Sequence, residues 1–85
     1  MKQYTIEIKK KAAKYIQKQN KSQQRLLLTA IEKLPSEGDI ARVEGRKGYY
    51  RLRVGDYRVI FTVDNGRLVV VVIDANSRGQ IYKRY

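Results

Sequence analysis

The chain has no cysteine and no histidine among its 85 residues. The first absence excludes disulfides and thiol chemistry. The second excludes Ser-His and His-His catalytic pairs, and together they exclude zinc sites of the usual Cys/His kind. Acidic residues are few: eight Asp and Glu stand against nineteen Lys and Arg, for a net charge of +11. No apolar run approaches the ~20 residues that span a bilayer. The opening Met-Lys-Gln-Tyr-Thr-Ile-Glu lacks the apolar core of a signal peptide. The expectation is a soluble, cytoplasmic protein that uses no metal and no small-molecule cofactor.

The charge points to a polyanionic partner: nucleic acid, an anionic membrane surface or an acidic protein. Basic residues run from Lys2 to Arg84, so charge alone does not choose among these. No composition shift, low-complexity stretch or internal repeat divides the chain, and residues 1–85 are expected to form one small domain.

Tyr4, Ile6 and Ile8 alternate with polar residues, which predicts a strand. From Lys10 the period becomes helical, with Ala12, Ala13, Tyr15 and Ile16 on one side and Lys and Gln on the other. Asn20-Lys21-Ser22 breaks this helix, and Ser22 is the expected N-cap of a second. Leu27, Ala30, Ile31 and Leu34 then form an i, i+3, i+4, i+7 stripe that ends before Pro35. Residues 36–48 are polar and contain glycine, and are expected to be a connection. The small apolar face of the first helix is needed for a core, which argues against a membrane-surface helix.

The remainder is strand signal. Tyr49–Val54 and Tyr57–Val63 flank Gly55-Asp56, a two-residue turn of the type II′ kind. That turn sets Val54 opposite Tyr57, Arg53 opposite Arg58, Leu52 opposite Val59 and Arg51 opposite Ile60. Side chains alternate along a strand, so Arg51, Arg53 and Arg58 share one face. Like charges opposite each other are unfavourable, and an anion seated on that face relieves them. The plainer reading is a solvated polar face. Asn65-Gly66 predicts a type I′ turn into a strand from Arg67 to Ala75, with Val63 opposite Leu68 and Arg58 opposite Ile73. Val69 to Ile73 are all β-branched, a run that implies burial on both faces. One face would meet the helices, the other a further layer, a terminal segment or a partner. Arg78 and Tyr82 then return to the arginine face.

If the anion is RNA, cutting it requires an activated 2′-OH, a stabilised phosphorane and a protonated 5′-oxygen. Guanidiniums match phosphate oxygens with a planar fork of donors. A tyrosine beside cations can transfer protons, and aromatics can stack on unpaired bases. Each residue also has a plainer role. Tyr50 and Tyr57 fall on the core side, Arg46 and Lys47 lie beside glycines in a loop, Arg78 can cap the sheet end and Tyr82 can pack. Asp74 is a candidate to pair with an arginine, and Glu44 and Asp56 are expected to be exposed. Gly45-Arg-Lys-Gly48 lacks the strand-to-helix context of a phosphate loop.

Gly48-Tyr-Tyr-Arg-Leu-Arg-Val-Gly-Asp-Tyr-Arg-Val-Ile-Phe61, then Val-Val-Ile-Asp-Ala-Asn-Ser-Arg78 and Ile81-Tyr82, resembles the RelE/ParE superfamily of toxins from type II toxin–antitoxin pairs. The resemblance covers nearly the whole chain and lies nearest the RelE branch. It implies an α+β fold of order β-α-α-β-β-β, with a two-helix hairpin packed on a mainly antiparallel four-stranded sheet. It implies a ribosome-dependent mRNA endonuclease that cuts in the A site through 2′-OH attack. Its partners would be mRNA, the ribosome and a cognate antitoxin, with no membrane. The catalytic residues carried over are Arg58, Arg78 and Tyr82. Tyr82 would be the base or 2′-OH orienter, Arg78 would assist the leaving group, and Arg58 would stabilise the phosphate. Arg51 and Arg53 would hold the phosphate where the family often has Lys, with Arg46 and Lys47 as further RNA contacts. The other readings are a ParE-like toxin that poisons DNA gyrase and a non-catalytic basic RNA-binding module.

Overall fold

The computed structural model describes residues 3–81, 83 and 85. The elements are β1 (Thr5–Ile8), α1 (Lys10–Gln17), α2 (Lys21–Glu32), β2 (Asp39–Arg42), β3 (Tyr49–Val54), β4 (Tyr57–Asp64), β5 (Val69–Ser77) and α3 (Arg78–Ile81). The α+β fold is the expected one, with one strand more. The sheet has five strands in the order β1-β5-β4-β3-β2. Only β1 pairs in parallel, with β5, and the other pairings are antiparallel.

The added strand, β2, lies within the stretch expected to be a connection. It pairs with β3 from Asp39 opposite Arg53 to Arg42 opposite Tyr50. Gly38 lets the chain enter this edge: its φ is 128°, and a Cβ there would sit 2.7 Å from Leu52 Cδ1.

α1 and α2 cover one face of the sheet. Ala12, Ile16, Leu27, Ile31 and Leu34 from the helical segment meet Leu52, Val54, Val59, Phe61, Val70 and Val72. Tyr50 and Tyr57 lie on this face, as their alternation predicts, with Tyr50 stacked on Phe61 at 5.6 Å between ring centres. The N-cap of α2 is Asn20 rather than Ser22. Asn20 Oδ1 accepts from the Gln23 backbone N–H at 2.9 Å, and Ser22 donates its hydroxyl to the same oxygen.

The register of β3 with β4 is the expected one throughout, including Arg53 opposite Arg58. Gly55 has φ 56° in the turn, a left-handed value that glycine takes at no steric cost. The β4–β5 register differs from expectation. Asn65-Gly66 does not form a two-residue turn. Val63 pairs with Val70 and Asp64 with Val69, so the loop runs from Asn65 to Leu68. Local side chains hold the wider loop. Asp64 Oδ1 accepts from the Arg67 N–H at 3.1 Å, and the Tyr4 hydroxyl donates to Asn65 Oδ1 at 2.6 Å. A bulge between Ile60 and Phe61 shifts the register again, leaving Ile73 as the extra residue. Val70 and Val72 before the bulge and Ala75 after it therefore share the helix-covered face, whereas Val69, Val71 and Ile73 are only half-buried, so the run is not buried on both faces as its composition implied.

Candidate functional site

The face of the sheet opposite the two helices carries the arginines. On β3, Tyr49, Arg51 and Arg53 alternate with the core residues, and on β4 Arg58 and Ile60 do the same. The corrected β4–β5 register sets Asn76, not Ile73, opposite Arg58 and Ser77 opposite Tyr57. The Arg78 backbone N–H then donates to the Asp56 carbonyl at 2.8 Å. The start of α3 is thereby tied to the tip of the β3–β4 hairpin, at the end of the sheet where Arg53 faces Arg58. The longer loop and the bulge bring Arg78 nearer to Arg58 in register than the two-residue turn would.

The three arginines of β3 and β4 have different surroundings. Arg58 is only 5% exposed. Its Nη1 donates to the carbonyls of Gly55 and Tyr57, both at 2.9 Å. Its Nε is buried with no hydrogen-bond partner among the described residues. A buried donor left unmet is costly, and burying a guanidinium is costly in itself. Arg58 is thus fixed in place by the turn it follows. Arg53 is exposed, and Arg51 is half-buried with its Nε enclosed.

Asp39 is the acidic residue that the sequence reading missed. From β2 it approaches Arg51 Nη2 and Arg53 Nη1, each at 3.9 Å. Both contacts are long and Asp39 is exposed, so the pairing is weak and open to exchange for a stronger anion. The signal for it was local: once β2 pairs with β3, Asp39 falls directly opposite Arg53.

Asp74 was expected to pair with an arginine. One partner is Lys11 of α1, whose Nζ lies 3.4 Å from Oδ2. Oδ1 accepts from the Ala75 N–H at 2.9 Å, and the carboxylate is completely buried. It fastens α1 to β5. Glu44 and Asp56 are exposed, as expected.

Arg46 and Lys47 are exposed on the β2–β3 loop. Arg46 is more than a solvated loop residue: its guanidinium lies 4.9 Å from the Tyr85 ring centre and 5.8 Å from that of Tyr49. Arg78 is exposed at the first position of α3, and Ile81 of the same turn is fully buried where α3 packs on β4 and β5. A terminal segment, one of the three options for the second face, thus covers its Arg58 end. Tyr82 lies outside the described residues.

Arg51, Arg53 and Arg58 therefore share a face next to the start of α3, while Arg46 and Lys47 stand apart on the edge loop. This arrangement can hold a phosphate group, and further negative charge that develops on it, from one side.

A family model described as the ParE toxin of type II toxin–antitoxin system, parDE, matches residues 6–82. Among solved structures, the chain is similar to one from the archaeal RelE–RelB complex of Pyrococcus horikoshii OT3. The two are 30% identical over 92% of this chain and 98% of that one, with a TM-score of 0.74. It is 22% identical to a chain of the RelB–RelE antitoxin–toxin complex of Methanococcus jannaschii, over 93% and 98% of the two chains, with a TM-score of 0.74. The isolated E. coli RelE toxin shares the fold at 20% identity and a TM-score of 0.69, over 95% of this chain and 93% of that one. No curated protein matches.

Proposed function

The chain belongs to the RelE/ParE superfamily of toxins from type II toxin–antitoxin systems, and we propose that it is one that cuts RNA. In this reading it acts in the cytoplasm, enters the ribosomal A site and cleaves mRNA there without a metal. The observation that supports this is the arginine face: Arg51, Arg53 and Arg58 share it, and Arg78 follows the strand beside it.

The 2′-oxygen of the RNA attacks the adjacent phosphorus, and the bond from phosphorus to the 5′-oxygen breaks. The products are a 2′,3′-cyclic phosphate and a 5′-hydroxyl. Tyr82 takes the 2′-OH proton or orients it. Arg78 donates to the departing 5′-oxygen. Arg51 and Arg53 exchange their long contacts with Asp39 for the phosphate oxygens. Arg58, held by the Gly55 and Tyr57 carbonyls, keeps a fixed positive charge behind the reacting group. A charge already in position needs no reorganisation as the phosphorane forms.

A cognate antitoxin belongs to the same reading. The similar chains from P. horikoshii and M. jannaschii come from RelE–RelB complexes, and a net charge of +11 favours a partner with an acidic segment. Primer extension on mRNA after induction tests the activity. Cuts confined to translated regions are expected, and Arg78→Ala and Tyr82→Phe should abolish both cutting and growth arrest while the protein stays folded. The description of the matching family model favours a second reading, a gyrase-poisoning toxin. Intact mRNA together with DNA damage on induction would select it.

A further inference from the structure

Next to the arginine face is a cleft of about 380 Å³ lined by Arg42, Val43, Glu44, Arg51, Ile60 and Tyr85. Its parts are unlike those of a bare phosphate site. Ile60 is 1% exposed and lies outside the core beneath the helices, so it forms an apolar floor on the arginine side. Tyr85 supplies an aromatic ring. Arg51 supplies a guanidinium, whereas Arg42 lines the rim and lies opposite Tyr50, whose ring belongs to the helix-covered face. Glu44 supplies a carboxylate, which repels a phosphate but accepts from the amino group on a base edge.

The ring of Tyr85 is braced from several sides. Its backbone N–H donates to the Ile81 carbonyl at 3.3 Å. Tyr49 lies 6.2 Å away between ring centres, at 40°, and Arg46 sits over the Tyr85 ring. The loop that carries Arg46 is closed on itself. Val43 N–H donates to the Tyr49 carbonyl at 2.9 Å, and the Arg46 and Tyr49 N–H groups donate to Val43 and Arg46 carbonyls at 3.2 Å each. The ring is thereby attached to a closed turn at the sheet edge.

We propose that this cleft seats one unpaired nucleobase of an RNA strand whose neighbouring phosphate lies on Arg51 and Arg53. Bases stack on tyrosine rings and guanidinium planes whatever their identity. Tyr85 stacks on the base, Arg51 neutralises the flanking phosphate, and Arg46 is a positioning residue that holds Tyr85. An acidic peptide would satisfy Arg51 but would leave the aromatic ring unused and meet Glu44. The inference rests on the reading of this protein as an RNA-cutting toxin and adds to it where the strand lies.

The test uses the full chain and a short single-stranded RNA with 2′-O-methyl sugars, which has no 2′-OH to attack. A single abasic position is moved along the strand, and affinity is read by fluorescence anisotropy at fixed salt. One abasic position is expected to bind about tenfold more weakly than the intact strand. The difference should vanish in Tyr85→Leu and Arg46→Ala, and return in Arg46→Lys, which keeps a cation over the ring. Equal affinity for all abasic strands in the unmodified protein overturns the proposal, as does a penalty that survives Tyr85→Leu. Because the strand cannot be cut, the two readings fail separately. An abasic penalty in a protein that leaves mRNA intact keeps the base seat and removes the nuclease, whereas mRNA cutting with no penalty does the reverse.

Discussion

The two faces of the sheet are built from alternate residues of the same strands. On β3, Leu52 and Val54 are buried against α1 and α2 while Arg51 and Arg53 point the other way. On β4, Val59 and Phe61 join that core while Arg58 and Ile60 do not. The helix-covered face uses interchangeable apolar volume, and its requirements end with packing. The other face sets Arg53 opposite Arg58 and buries a guanidinium, both unfavourable for folding alone. The helix-covered face stabilises the domain enough to tolerate this concentration of charge. The proposed anion site is thus separated from the packing that stabilises the fold by alternation along the strands, and substitutions at neighbouring positions should have opposite consequences.

The largest effect is expected from Phe61→Ala. Phe61 is among the largest fully buried side chains and stacks on Tyr50. Its truncation should cost about 4 kcal/mol in a urea unfolding experiment, a large share of the ~5–15 kcal/mol that holds a domain together. RNA cutting should fall only as far as the folded fraction falls. A loss of cutting under conditions where the variant is fully folded would mean that the faces are not independent.

Arg58→Ala comes second and tests the residue that belongs to both faces. It leaves the Gly55 and Tyr57 carbonyls without their donor, so the expected loss is about 2 kcal/mol. Cutting should fall as well, and should not return when the variant is stabilised by osmolyte. Recovery of cutting on stabilisation would assign Arg58 to the turn alone.

That double role could not be read from the sequence, although the position could. Gly55-Asp56 determined the whole β3–β4 register, because a two-residue turn admits one pairing and alternation then places every side chain. The β4–β5 connection was less legible. Asn65-Gly66 has the composition of a tight turn, but the wider loop wins through contacts from Asp64 and from Tyr4, which lies far away in the sequence. β2 was missed because Asp39–Arg42 has only four residues and no apolar alternation, and its pairing with β3 comes from the backbone. With β2 unseen, Asp39 had no place beside the arginines. The aromatic grouping of Arg46, Tyr49 and Tyr85 was hidden for a similar reason, since it joins an edge loop to the chain end. Conversely, the most specific part of the superfamily motif lies on β3 and β4, where local pattern and final register agree.

Arg53→Gln is expected to have a smaller effect on folding. It removes a like-charge neighbour of Arg58 and also a long, exposed contact with Asp39. These contributions oppose each other, and stability should change by less than about 0.5 kcal/mol. Cutting should fall about a hundredfold if Arg53 binds the phosphate. This inverts the Phe61→Ala result at a position that faces away from the core. A large loss of stability with cutting intact would show the polar face to be structural.

The smallest effect concerns the helix-covered side and appears only in alkali. Burial raises the pKa of the Tyr15 hydroxyl above its ordinary 10.0, and the neighbouring Tyr57 phenol raises it further. The two rings meet edge-on, 6.1 Å apart. Because the folded pKa is the higher one, the folded protein holds this proton more tightly than the unfolded chain does. The contribution is fully present below the unfolded value near 10 and is lost as pH rises through the interval up to the folded value. Unfolding free energy should therefore decline less steeply above pH 10 in Tyr15→Phe than in the unmodified protein. Comparing the two curves removes the lysines and other tyrosines that titrate in both. Parallel curves would mean that Tyr15 ionises as freely in the fold as outside it, and that this edge of the helix-covered face is as open to water as the arginine face.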